Sequence, residues 1–305
     1  MKKKLCFIAF TFLLGSVIFA QTETDFNVGL TEDGTGAVIT GYIGKTLAVR
    51  IPATIEGFPV REIGSGAFEE NTDITSVVIP QGVIKIGSNA FAYTYELASV
   101  TLPEGLLEIG AGAFRGSALT AITLPQSLTI LAGGAFSVTP ITSATLPGSL
   151  IYIGDRLFQY CKELRTVNLS EGITKIPIGM FDGCIALNNV TLPNSITTIG
   201  GSAFRKCTAL TAISLPVSIM EIESTAFSEC SALTTVTIPA TVAKINFTFG
   251  YQHFEGCPRL NLASQAALRR VGYTGHYLRK SISSRRLGGT SYHFFIAYLI
   301  NSCTL

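Results

Sequence analysis

Five cysteines keep a regular beat in this chain. Cys161, Cys184, Cys207 and Cys230 follow one another at 23 residues, and Cys257 comes 27 residues after the last of them. Regular cysteines point to two chemistries, thiolate ligation of a metal such as zinc or a series of disulfides. Both require the sulfurs to converge. The residues that move protons are sparse by comparison. His253, His276 and His293 are the only histidines, and none stands with a Ser, Asp or Glu in a spacing that builds a nucleophile with its base. Tryptophan is absent, and charged residues are only 14% against 47% hydrophobic, so Thr, Ser, Asn and Gly must supply much of the surface polarity. Whether the cysteines meet depends on the elements that carry them.

Those elements repeat. Phenylalanine recurs at Phe68, Phe91, Phe114, Phe136, Phe158, Phe181, Phe204, Phe227 and Phe254, at intervals of 23, 23, 22, 22, 23, 23, 23 and 27. Proline keeps the same period at Pro80, Pro103, Pro125, Pro147, Pro193, Pro216 and Pro239, with Ser170 taking one turn. A period in the twenties is the signature of a solenoid. In the unit from Leu210 to Leu233, Ile213 and Leu215 alternate with Ser214, which marks a short strand with one face inward. Pro216 lacks an amide donor and ends the pairing. Ile219 and Ile222 return to the core, Ala226 and Phe227 fill its centre, and Cys230 leads to the next strand. One unit cannot bury that face alone, so coils stack and like side chains form ladders. The two 22-residue intervals each lack a residue in a turn, between Phe114 and Leu119 and between Phe136 and Ile141, where a deletion costs little.

Stacking answers the cysteine question. Coils lie ~4.8 Å apart, so four successive thiols span ~14 Å, too far for one tetrahedral metal. Neighbouring Cβ vectors run parallel and stay ~4.8 Å apart, beyond the ~3.5–4.5 Å a disulfide needs. The cysteines therefore read as a ladder of buried free thiols, in a slot that earlier coils fill with Asn71, Thr94 and Ser117. No metal, cofactor or catalytic site is expected.

The motif L-x-x-V-x-L-P … I-x-x-I-G-x-x-A-F-x-x-C-x-x-L stands nearly whole from Leu187 to Leu210. With Thr40-Gly41-Tyr42, Ile51-Pro52 and Gly57-Phe58-Pro59-Val60 near the start, the chain resembles the BspA-like, or treponemal, leucine-rich repeat family over roughly residues 25 to 275. The resemblance implies a leucine-rich-repeat solenoid, mainly strands with loops and short helical turns. It also implies a secreted or cell-surface protein whose partners are host matrix or cell-surface proteins. A periplasmic or secreted scaffold or ligand carrier without adhesive role is the alternative. Nucleic acid is not an expected partner.

The expected organisation is a signal peptide at 1–20, an N-terminal cap with the first coil at 21–60, repeats at 61–260, a C-terminal cap at 261–275 and a disordered basic tail at 276–305. Lys2, Lys3 and Lys4 followed by the apolar run Leu5 to Phe19 form the export signal, and no membrane span is expected after its removal. Asp33-Gly34 marks a hairpin in the N-terminal cap, and Ser264 is placed to start a short cap helix that Gly272 stops. Between residues 22 and 258, 12 Lys/Arg stand against 20 Asp/Glu, while the residues from Arg259 onward carry seven basic groups and no acid. About nine coils of 22–23 residues then present two outward rows. The strand row runs through Val78, Thr101, Thr123, Thr145, Asn168, Thr191, Ser214 and Thr237, and its members Thr101, Thr123, Thr145, Asn168, Thr191 and Ser214 form the candidate binding face. The return row runs through Lys85, Glu108, Ile130, Tyr152, Lys175, Thr198, Glu221 and Lys244, where Ile130 and Tyr152 make a secondary apolar patch.

Overall fold

The computed structural model describes residues 22–248, 250 and 252–275; the expected signal peptide at 1–20 and the expected tail at 276–305 lie outside the described residues. The chain winds into a β-solenoid of about nine turns. Its N-terminal cap is the hairpin of β1 (Phe26–Leu30) and β2 (Ala37–Tyr42), paired antiparallel. At its turn, the Asp33 carboxylate accepts from the Thr31 hydroxyl and from the amide and hydroxyl of Thr35, which together hold its pKa down at about 2.

The coils contribute short strands to two faces, and all but the coil around Thr123 place one on the strand face. The strand face holds β3 (Ala48–Arg50), β6 (Ser76–Val78), β8 (Ser99–Thr101), β11 (Ser143–Leu146), β13 (Thr166–Leu169), β15 (Asn189–Thr191), β17 (Ala212–Ser214) and β19 (Thr235–Thr237). The return side holds β5 (Phe58–Ile63), with β4 (Thr54–Ile55) folded against it, then β7 (Lys85–Ile86), β9 (Glu108–Ile109), β10 (Ile130–Leu131) and β12 (Tyr152–Ile153). It continues through β14 (Lys175–Ile176), β16 (Thr198–Ile199), β18 (Glu221–Ile222) and β20 (Asn246–Phe247). Coil-to-coil pairing is parallel and in register, so Ile86 faces Ile109, which faces Leu131, which faces Ile153.

The core is a column of phenylalanines. From Phe68 to Phe254 successive rings lie 4.8–6.0 Å apart with interplanar angles of 1–27°. Tyr42 and Phe26 extend the column into the N-terminal cap, and Tyr273 closes it edge-on against Phe254. Serine hydroxyls staple the coils on the return path: Ser127, Ser149, Ser195 and Ser218 donate to carbonyls of the preceding coil at 2.5–2.7 Å. Thr129 and Thr197 do the same at 3.1 Å, and Thr142 and Thr234 donate to the preceding coil just ahead of the strand face at 3.4 and 3.0 Å. The Ser/Thr richness therefore serves cohesion between coils as well as solubility.

Three sequence expectations need correction. The cap helix α1 spans Leu262–Arg270, and its N-cap is Asn261, whose side chain accepts from the Ser264 amide at 2.8 Å. Ser264 is drawn inward instead, where its hydroxyl accepts from the Val236 amide at 2.9 Å on the otherwise unpaired edge of β19. The return row ends at Asn246, not Lys244, because two of the extra residues in the 27-residue coil precede this strand and shift its register. The strand face is not one ladder; it falls into β3-β6-β8, β11-β13-β15 and β17-β19. Helix α1 stops as expected at Gly272, with φ of 103°.

Candidate recognition face

The six strand-row candidates all point to solvent, each between inward apolar neighbours. Thr145, Asn168 and Thr191 are brought directly side by side by the register of β11, β13 and β15. Ser214 pairs with Thr237, and Thr101 with Val78, in the flanking segments. Thr123 stands apart, in a stretch of coil that pairs with neither neighbour. The turns on either side of that coil, Phe114 to Leu119 and Phe136 to Ile141, are each one residue short. The core is intact across this coil, since Phe114 and Phe136 still stack at 5.5 Å and 3°.

On the return side Ile130 and Tyr152 are direct ladder partners, 36% and 55% exposed. Ile151, at 86% exposed, belongs with them and escaped the sequence reading. The signal was present, because Ile151-Tyr152-Ile153 is three apolar residues in an alternating strand, where not all can face inward. Charged members of the same side form surface pairs, Lys85 with Glu108 at 3.5 Å and Lys175 with Glu223 at 3.4 Å. One ion pair is more deeply set: Arg205 grips Asp182 through two hydrogen bonds of 2.9 and 3.0 Å, and Gln159 donates to the same carboxylate. Those bonds raise the Arg205 pKa above its ordinary value.

The cysteine slot is a hydrogen-bonding device. Cys161, Cys184, Cys207, Cys230 and Cys257 are free and buried. Each thiol donates to the carbonyl of a ladder phenylalanine in the preceding coil, at 3.0–3.2 Å. Thr94 and Thr139 use the same slot differently, donating to the phenylalanine carbonyl of their own coil. Burial pushes the Cys161 pKa up to about 11, and Cys184 and Cys207 are raised for the same reason, so these thiols are poor nucleophiles. His253 is likewise buried, with Nε2 against the Thr248 carbonyl and Nδ1 without a partner; desolvation lowers its pKa. Among the described residues no three His, Cys, Asp or Glu gather to hold a metal, and no helix is long and apolar enough to cross a membrane.

A family model described as the BspA type leucine-rich repeat region matches residues 61–185 and 133–261, with six copies of the repeat. No curated protein matches the chain. Among solved structures, the leucine-rich repeat protein of T. pallidum is 29% identical, with 84% of this chain and 98% of that one covered and a TM-score of 0.46. A leucine-rich repeat protein from Bacteroides ovatus is 22% identical, covering 78% of this chain and 92% of that one, with a TM-score of 0.32. A leucine rich cell surface protein from Faecalibacterium prausnitzii is also 22% identical, covering 72% and 94%, with a TM-score of 0.34.

Proposed function

The chain belongs to the BspA-type leucine-rich repeat family, and from that membership we propose that it is an exported module that binds other proteins. Adhesion to host matrix or cell-surface proteins, from a secreted or surface location, is the finer form of this reading. The observation that carries it is the central strand face, where Thr145, Asn168 and Thr191 stand outward and in register on β11, β13 and β15. Their backbones are committed to the ladder and their strand neighbours to the core, so the side chains are free to meet a ligand on a rigid support. The row carries no formal charge, so recognition relies on shape and hydrogen bonding. The lysines at 2–4 and the apolar run behind them support export.

The test uses the mature chain as bait for serum and matrix proteins, followed by affinity measurement on whatever is captured. The double variant Thr145→Lys, Thr191→Lys is expected to weaken that affinity by about tenfold or more while the melting temperature stays nearly unchanged. Affinity in the parent should vary little with salt, because no charged pair carries it. Equal affinity in parent and variant would move the site off this face, and the patch of Ile130, Ile151 and Tyr152 would be examined next.

A further inference from the structure

The return-side ladder is interrupted once among the described residues, between β12 and β14. At the other boundaries the amide just after the inward residue donates to the coil before. Gly87 donates to Ile63, Gly110 to Ile86, Ala132 to Ile109, Gly154 to Leu131, Gly200 to Ile176 and Glu223 to Ile199, all at 2.7–2.9 Å. After Ile176 that place belongs to Pro177, which has no amide hydrogen. Ala132 and Glu223 show that a side chain is tolerated there, so the missing donor and the ring are what set Pro177 apart.

Two more links fail at the same boundary. Leu107, Thr129, Ile151, Thr197 and Met220 each donate an amide to the preceding coil at 2.8–3.0 Å, but Thr174 makes no such bond to Ile151. Gly172, with φ of 101°, stands where Ser127, Ser149, Ser195 and Ser218 carry their stapling hydroxyls, as Gly82 and Gly105 do at two boundaries that remain zipped. The result is a cleft of about 680 Å³ whose lining includes Leu150, Ile151, Ile153, Ile173, Lys175 and Pro177. Ile153 is only half-buried, whereas its ladder equivalents Ile109, Leu131, Ile176 and Ile199 are wholly buried. The column feels the gap as well: the step from Phe158 to Phe181, 6.0 Å, is its widest.

Both flanks of the cleft hold. On the strand face β11 and β13 pair over four residues, and on the turn side Phe158 donates to Met180 at 2.9 Å and Tyr160 to Asp182 at 2.8 Å. Coils joined on one side and unzipped on another change angle more easily than coils zipped all round, because the open side has no ladder bonds to stretch. We propose that this seam is a built-in joint. The array flexes about the intact β11–β13 pairing, and the curvature of the strand face changes with the opening of the cleft. The proposal does not depend on what the face binds.

Hydrogen exchange on the mature chain tests it first. The amides of Thr174 and Lys175 are expected to exchange at least about tenfold faster than those of Thr129, Ile130, Ile151, Tyr152, Met220 and Glu221, since each of the latter donates to the preceding coil and the former face the unzipped boundary. In Pro177→Ala, which restores an amide in the setting Ala132 already tolerates, that difference should shrink. Spin labels at Glu104→Cys and Val217→Cys, on opposite sides of the seam, should give a broad distance distribution that narrows in Pro177→Ala. Equal exchange at all return-side boundaries in the parent would overturn the joint, and so would label distributions of equal width with and without Pro177. The parent's exchange pattern decides the matter even if the substituted chain fails to fold.

Discussion

Replacing Phe204 by alanine should remove the cohesion of the column at one rung. Its ring is wholly buried and lies 5.2 Å from Phe181 on one side and 5.2 Å from Phe227 on the other. Phenylalanine-to-alanine changes in a close-packed core cost about 3–5 kcal/mol, through lost transfer energy and the cavity left behind. Each ring pair adds about 0.5–1.5 kcal/mol beyond burial, and two pairs vanish here, which places the expected loss near the top of that range, at about 4–5 kcal/mol. The coils above and below are held by ladder bonds and are not free to collapse into the void. With an m-value of about 2–3 kcal/mol/M, the urea midpoint should fall by about 1.3–2.5 M. Circular dichroism follows the sheet through the transition. Because contacts in a solenoid run only between neighbours, the break should also lower the m-value or split the transition in two, as the halves lose their coupling. A loss below about 1.5 kcal/mol with an unchanged single transition would refute the reasoning. It would mean that the coils are held by their ladders and hydroxyl staples, with the aromatic column secondary.

The thiol ladder should be inert until the protein unfolds: a thiol reagent should react slowly with the native chain, and in denaturant without reductant the coil cysteines should all titrate. Few titratable thiols in that unreduced, denatured chain would show disulfides and overturn the parallel-Cβ argument. Acid should weaken the C-terminal cap through His253. Its folded pKa lies below the ordinary ~6.5 because burial disfavours the charge, so the unfolded chain takes up the proton first. The stabilisation is therefore complete above pH ~6.5 and is lost as pH falls from there toward the depressed folded value. Melting curves of the parent and His253→Phe at pH 7.5 and 5.5 check this, and an identical pH dependence in the two would contradict it.

Much of the architecture was legible because a solenoid repeats one decision many times. The phenylalanine period, the prolines at strand ends and the cysteine slot each identify a ladder position, and a ladder in sequence becomes a ladder in space once coils stack. The outward row was legible for the same reason, since alternation alone says that Thr145, Asn168 and Thr191 face away from Val167 and Val190. The left-handed turn positions two residues either side of each phenylalanine were less visible. Gly112 and Gly116 hold them around Phe114, but Arg156 and Tyr160 take the same backbone around Phe158, with φ of 58° and 59°. Nothing in the side chains of Arg156 or Tyr160 announces that conformation, which the closed coil imposes.

The sequence by itself determined which residues face inward, how many coils there are, and that the cysteines cannot converge, because all three follow from period and alternation. Only the tertiary structure decided where neighbouring coils actually pair. Pairing depends on the height at which each strand enters relative to the coil before it, and that height is set by distances across the stack. The ring of Phe114 stays on the column while Thr123 of the same coil lies outside the sheet, and at Pro177, which lacks an amide, β11 stays on β13 while the side opposite is open. The helix cap follows the same rule. Ser264 and Asn261 are both good caps in sequence, and the unpaired amide of Val236, 28 residues away, settled which of them the helix would use.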